Sequence, residues 1–149
     1  MNPGRDAVRC VTRSVVVAVP PEEVFALLAD IRRHAEVDGS GTVRGALRGP
    51  ERLTLGSRFG MKMRLGVPYV ITSEVIEFTE GRRIAWRHFG HHVWRYELEP
   101  VGRGTRVTES FDWRPSRAPR VLELIGYPAR NTRGIEATLK RFVERFGPG

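Results

Sequence analysis

Three stretches, Arg82–His88, His92–Glu99 and Thr105–Trp113, alternate apolar and polar residues and are joined by short turns at Phe89-Gly90-His91 and Val101-Gly102-Arg103-Gly104. Period-two alternation sends successive side chains to opposite faces of a strand, and turns this short make neighbours antiparallel. A three-residue loop pairs Trp86 with Trp94 and Ile84 with Tyr96. A four-residue loop pairs Tyr96 with Glu109, Trp94 with Phe111 and His92 with Trp113. Both registers put the same residues on one face; a slip of one residue in either would set Arg87 or Arg106 against the core.

That inner face consists of three rows: Ile84, Tyr96 and Glu109; Trp86, Trp94 and Phe111; His88, His92 and Trp113. The outward partners Arg83, Arg87, Arg95, Glu97, Arg106 and Thr108 are polar, as a sheet with one wet face requires. A plain core would use aliphatic residues, which bring no polar atoms to satisfy. Large rings with a few convergent polar groups instead suit the lining of a small-molecule pocket, and the ligand-binding set is Trp86, His88, His92, Trp94, Tyr96, Glu109, Phe111 and Trp113. A buried Glu109 must find a partner or lose its charge, and the Tyr96 hydroxyl stands opposite. A structural Tyr96–Glu109 hydrogen bond in a filled core is the competing reading. Glu109, His88, His92 and Tyr96 are the groups available for acid–base chemistry. Two histidines without a third ligand make a poor metal site, and Asp112 is expected on the outer face, so no metal is expected.

The rest of the chain frames this sheet. Val11–Val19 reads as a first strand. Pro20-Pro21-Glu22-Glu23 then opens a helix with Val24, Leu27, Leu28 and Ile31 on one stripe, and a shorter helical piece continues through Arg33. Thr42–Leu47 and Ser57–Leu65 read as strands joined by a turn around Gly49-Pro50, and Tyr69–Phe78 as a further strand. Ser116 is placed to cap a last helix, with Pro119 in its first turn. Val121, Leu122 and Ile125 start its apolar face, and Ile135, Leu139, Phe142 and Phe146 continue it past a kink at Gly126 and Pro128. The expected fold is α+β: a seven-stranded curved antiparallel sheet around a long C-terminal helix, with two short helices between strands 1 and 2. Residues 1–149 are expected to form one domain, with 1–8 a loose arm.

The formal net charge of +8 raises the question of nucleic acid. The basic residues are nearly all arginines, scattered along every segment singly or in pairs rather than gathered in a tract; only Lys62 and Lys140 are lysines. That dispersal disfavours a nucleic-acid tract. Cys10, the single cysteine, excludes an intramolecular disulfide and a cysteine zinc cluster. Neither Val15–Val19 nor the longer apolar run Val24–Ala29 approaches the length of a membrane span, and the first ten residues lack a signal core, so a cytoplasmic protein without a membrane span is expected. Neither Gly39-Ser40-Gly41 nor the other glycine clusters have the context of a phosphate loop, and no cofactor is expected. The sequence leaves the oligomeric state open.

Ser14-Val15-Val16-Val17 followed by Pro20-Pro21-Glu22-Glu23-Val24-Phe25-Ala26-Leu27-Leu28-Ala29-Asp30 resembles the opening of the polyketide cyclase/dehydrase branch of the Bet v 1/START-like (SRPBCC) superfamily. Ile84-Ala85-Trp86-Arg87, Trp94-Arg95-Tyr96-Glu97-Leu98-Glu99-Pro100, Gly104-Thr105-Arg106-Val107-Thr108-Glu109 and Ile135-Glu136-Ala137-Thr138-Leu139 are similar to its later motifs. Arg33-His34-Ala35-Glu36-Val37 departs from it, standing where relatives often carry tryptophans around a proline. The resemblance implies a helix-grip fold, a cavity between sheet and long helix, and a small apolar guest such as a lipid, an aromatic or a polyketide-like molecule. The alternative it implies is a polyketide cyclase/aromatase or dehydratase using the same pocket.

Overall fold

The computed structural model of the chain describes residues 9–39, 43–88 and 90–149, without the side chains of 43–48 and 65. The N-terminal arm, Thr42 at the start of the second strand, and Phe89 in its turn lie outside the described residues.

Strand β1 (Cys10–Val17) leads into helix α1 (Pro21–Ala29) and a 3₁₀ helix (Ile31–Glu36). Pro21 occupies the first turn of α1, where its missing N–H costs nothing, and Glu22 and Glu23 face the positive end of the helix. Val24, Phe25, Leu27 and Leu28 are all buried. Asp30 ends α1 in an extended conformation, and its Oδ1 accepts the Arg32 N–H at 3.0 Å, which starts the 3₁₀ helix.

Strands β2 (Val43–Arg48), β3 (Arg58–Leu65), β4 (Val67–Thr79), β5 (Arg83–His88), β6 (Val93–Val101) and β7 (Gly104–Asp112) follow in series. With β1 they make one seven-stranded antiparallel sheet ordered β1-β7-β6-β5-β4-β3-β2. The pairs Ile84–Tyr96, Trp86–Trp94, Tyr96–Glu109 and Trp94–Phe111 all occur. The β6–β7 connection is tighter than the expected four residues. Val101 pairs with Gly104, leaving a two-residue turn at Gly102-Arg103 with Gly102 at φ 58°, and the register is unchanged. The β2–β3 connection is longer than a turn at Gly49-Pro50, because Leu53 folds inward, fully buried, and its N–H donates to the Ala29 carbonyl at 2.7 Å.

The C-terminal segment corrects the expectation of one kinked helix. Gly126 takes a left-handed conformation (φ 74°) and separates α2 (Pro119–Leu124) from α3 (Tyr127–Phe146). Such a residue ends a helix rather than bending it. Pro128 falls in the first turn of α3, where no donor is lost. The Ser116 hydroxyl accepts the Ala118 N–H at 3.2 Å, just before α2 begins. Helix α2 buries none of its residues: Val121 and Leu124 are exposed, as is Ile125 just after it, although Val121 and Ile125 were expected on the apolar face. Helix α3 carries the apolar face instead, with Ile135, Leu139 and Phe142 buried in one core with α1 and the sheet.

The outer face of the sheet is laced with ion pairs. Arg83 bonds Glu97 at 2.6 Å, Arg95 bonds Glu77 at 2.8 Å, Arg106 bonds Glu99 at 2.8 Å, and Arg87 meets Glu74 at 3.3 Å. Much of the arginine on this face is thereby matched by carboxylate. No helix among the described residues is long and apolar enough to cross a membrane.

Candidate functional site

The alternation in β5, β6 and β7 turns their rings toward α3. Where the helix does not reach the sheet, a hollow of about 140 Å³ remains. Its sheet wall includes Met61, Ser73, Trp86, His88, Trp94, Tyr96 and Glu109; its other wall includes His34, Val37 and Asp38 from the 3₁₀ segment and Tyr127, Asn131 and Thr138 from α3. Half-buried Arg130 and exposed Tyr69 stand on its rim.

At the bottom of this hollow the Tyr96 hydroxyl donates to Glu109 Oε1 at 2.8 Å. Both residues are buried. Burial, with the Asp38 charge adding to it, pushes the Glu109 carboxyl up to about 8 against the pull of the Tyr96 hydrogen bond. A carboxylic acid that keeps its proton at neutral pH is a hydrogen-bond donor and a usable general acid. The Tyr96 phenol is held well above its usual range, mainly by burial and then by the glutamate beside it.

The histidines divide. His88 lines the hollow, with its Nδ1 hydrogen-bonded to the buried Ser73 hydroxyl at 2.6 Å. Burial, and then the neighbouring His92, lower it to about 3. His92 does not reach the hollow. Its ring packs on Phe111 and Tyr127 at 5.5 and 5.7 Å, and burial lowers it to about 4. Phe111 and Trp113 also leave the expected lining set. Phe111 is fully buried, stacked on Trp113 at 5.5 Å and covered by Tyr127 at 5.8 Å. The Trp113 indole N–H donates to Glu123 of α2 at 3.0 Å, and the same carboxylate oxygen accepts from Arg9 at 2.7 Å. His92 and Phe111 thus sit under Tyr127 at the start of α3, and Trp113 beside them is held by α2. Asp112 lies on the opposite face, where burial is outweighed by bonds from Arg114 that hold its carboxyl low. Among the described residues no three His, Cys, Asp or Glu side chains gather as metal ligands.

Sequence patterning did not single out His34, Ser73, Asp38 or Asn131. His34 stacks on Trp86 at 5.2 Å with 20° between planes, and its Nε2–H donates to the Leu28 carbonyl at 2.8 Å. The available signal was Arg33-His34-Ala35-Glu36-Val37, the stretch that departs from the resembled pattern; its His34 supplies a flat ring to the hollow. Nothing local marks Ser73 or Asn131, which reach the hollow through tertiary packing.

A strongly paired antiparallel sheet closed by a C-terminal helix, with rings and a buried acid between them, defines a helix-grip domain. The chain belongs to the family described as polyketide cyclase/dehydrase and lipid transport, whose sequence profile matches residues 8–147. It is 44% identical to the uncharacterized protein Rv0088 of Mycobacterium tuberculosis over 99% of its own length, and spans 66% of the length of that relative. Among solved structures it is similar to a protein from Arthrobacter aurescens (TM-score 0.72, 14% identity, 93% of this chain and 88% of that one). It is also similar to the Polyketide_cyc-like protein Cgl2372 of Corynebacterium glutamicum (TM-score 0.59, 20% identity, 92% and 88%).

Proposed function

We propose that the chain binds a small apolar molecule, aromatic, lipid or polyketide-like, in the hollow between the sheet and α3. The observation that carries this reading is the lining itself: the rings of Trp86, Trp94 and Tyr96 border space between the sheet and α3. Stacking and apolar burial would supply affinity there, and the Tyr96–Glu109 pair would orient a polar end. The test is a titration of tryptophan fluorescence against aromatic polycycles, fatty acids and linear polyketide mimics. Saturable quenching by one class supports the reading; silence from all of them overturns it.

The second reading, a cyclase or dehydratase, is favoured by one observation, a carboxyl group buried in the hollow with a single hydrogen bond from Tyr96, an environment that pushes Glu109 up to about 8. As general acid it would protonate a departing hydroxyl, or a carbonyl oxygen under attack by a carbon of the same chain. Glu109→Gln then abolishes turnover of a polyketide mimic and leaves its affinity nearly unchanged. Equal loss of both returns the site to binding alone.

A further inference from the structure

Helix α2 turns its apolar side away from the core. Val121, Leu124 and Ile125 stand at helical spacing, and the Ile125 N–H donates to the Val121 carbonyl at 3.1 Å, so the three form one stripe. They are 54%, 86% and 68% exposed. Leu122 and Glu123 hold the helix to the body instead. Leu122 packs against the core, and Glu123 accepts from Arg9 and from the Trp113 indole. The helix is thus anchored by one side while its apolar stripe is held out to solvent. Single apolar residues scattered on a surface need no explanation, but a contiguous stripe does.

The ribbon of β3 and β4 makes a second exposed set. Strand β5 pairs with β4 only from Ser73 onward, so Val67 and Val70 lie where β4 has β3 as its one neighbour. Both are exposed although they point to opposite faces of the strand, as a ribbon projecting past the rest of the sheet allows. Tyr69 between them borders the hollow together with Tyr127, which follows α2 across Gly126. Burial raises the Tyr127 phenol, and the Tyr69 phenol nearby adds to it. Helix and ribbon therefore flank one opening.

Charge identifies what such a surface fits. Between Asp112 and Glu136 the sequence sets Arg114, Arg117, Arg120, Arg130 and Arg133 against Glu123 alone. Exposed Lys62 and Arg64 border the same surface dip as Val70, on a stretch with no acid from Arg52 to Ser73. A second copy of the chain would set the same arginines against one another across a two-fold axis, which like charges oppose. A nucleic acid would meet the arginines and leave the apolar stripe without a use. Apolar side chains among bases match the boundary of an anionic bilayer, where the former enter the acyl layer and the latter meet lipid phosphates. We infer that α2 and the β3–β4 ribbon form a shallow docking surface for an anionic lipid membrane, which sets the opening of the hollow against the bilayer. The surface stands whether or not the hollow holds a guest.

The experiment is co-sedimentation of the full chain with two kinds of vesicle: phosphatidylcholine alone, and phosphatidylcholine with phosphatidylglycerol in equal parts. The protein binds the anionic vesicles at least roughly tenfold more tightly, and the difference shrinks as salt rises. Leu124→Asp, at a position that makes no core contact, lowers anionic-vesicle binding roughly tenfold with an unchanged melting temperature. Arg120→Gln lowers it less and flattens the salt dependence. Arg103→Gln, on the turn at the far end of β7, changes neither. Binding to neither vesicle overturns the inference. Equal losses from Arg103→Gln and Arg120→Gln overturn it in favour of diffuse attraction by a basic protein. A dimer broken by Leu124→Asp, in a protein that ignores vesicles, assigns the stripe to a second copy instead. Each of these outcomes leaves the fluorescence titration of the hollow unaffected, so the two readings fail separately.

Discussion

The Tyr96 hydroxyl and Glu109 Oε1 lie 2.8 Å apart on neighbouring strands, and that one bond is all the protein offers a carboxyl group that is 3% exposed. Keeping the proton is the cheaper solution for such a group.

A pH signature follows. Glu109 titrates near 4.5 when unfolded and near 8 when folded, so the folded state binds the extra proton between those values. Its contribution to stability is complete below 4.5 and lost as pH rises to about 8. The buried histidines, lowered in the folded state, act below about 6.5. From pH 7 to 8 native stability should therefore decline by about 1 kcal/mol. Glu109→Gln should be nearly flat there. Urea midpoints at half-unit steps measure this, and parallel curves for the two proteins count against it.

His92 offers the opposite sign. Lowered to about 4 by burial, it is neutral when folded, and the unfolded chain takes up its proton first as pH falls through 6.5. Stability it supplies at neutral pH is lost between 6.5 and 4. His92→Phe removes two unpaired nitrogens from a ring cluster and should stabilise by about 1–2 kcal/mol at pH 7, with a shallower acid limb. Thermal unfolding at pH 7 and 5 reads both effects.

The two kinds of tryptophan should separate experimentally. Trp86→Ala removes a wall of the hollow and should weaken any bound aromatic probe at least tenfold, about 1.4 kcal/mol or more. Trp113→Phe should leave that affinity unchanged, since its indole is tied to Glu123 rather than turned to the hollow. It should speed amide hydrogen exchange in α2, which buries none of its residues and is held in part by this bond and by Arg9.

Gly39 is a point of close approach. A methyl group there would stand 2.3 Å from the backbone of Ala137 and Thr138, while the Gly39 N–H donates to the Thr138 hydroxyl at 2.9 Å. Gly39→Ala should push the segment after the 3₁₀ helix away from α3 and cost about 3 kcal/mol. A chemical denaturation midpoint equal to the native one would show that the segment yields freely.

The sheet was readable because its constraint is local. Strict alternation and short turns leave one register for residues 84, 96 and 109, and the tighter turn at Gly102-Arg103 preserves it. The C-terminal break was less legible, since Gly126 and Pro128 are compatible with either a bend or a stop. Their resolution depends on a backbone angle that no side-chain pattern reports. The same holds for the end of the site: His92, Phe111 and Trp113 share a face with the lining residues, but where α3 begins decides that Tyr127 covers His92 and Phe111, while Trp113 is tied to Glu123 of α2. Ser73, His34 and Asn131 come from segments whose meeting is a property of the packed whole.

The cross-strand arginine–glutamate ladder on the convex face bears on how this domain changes over generations. Arg83 meets Glu77 at 3.3 Å as well as Glu97 and keeps a carboxylate partner when Glu97 is lost, whereas Arg106 is paired with Glu99, so exchange on that surface should be freer at Glu97 than at Glu99. On the inner face the paired positions are Tyr96 with Glu109 and Ser73 with His88, and those should change together, while the apolar rings around them can be exchanged singly.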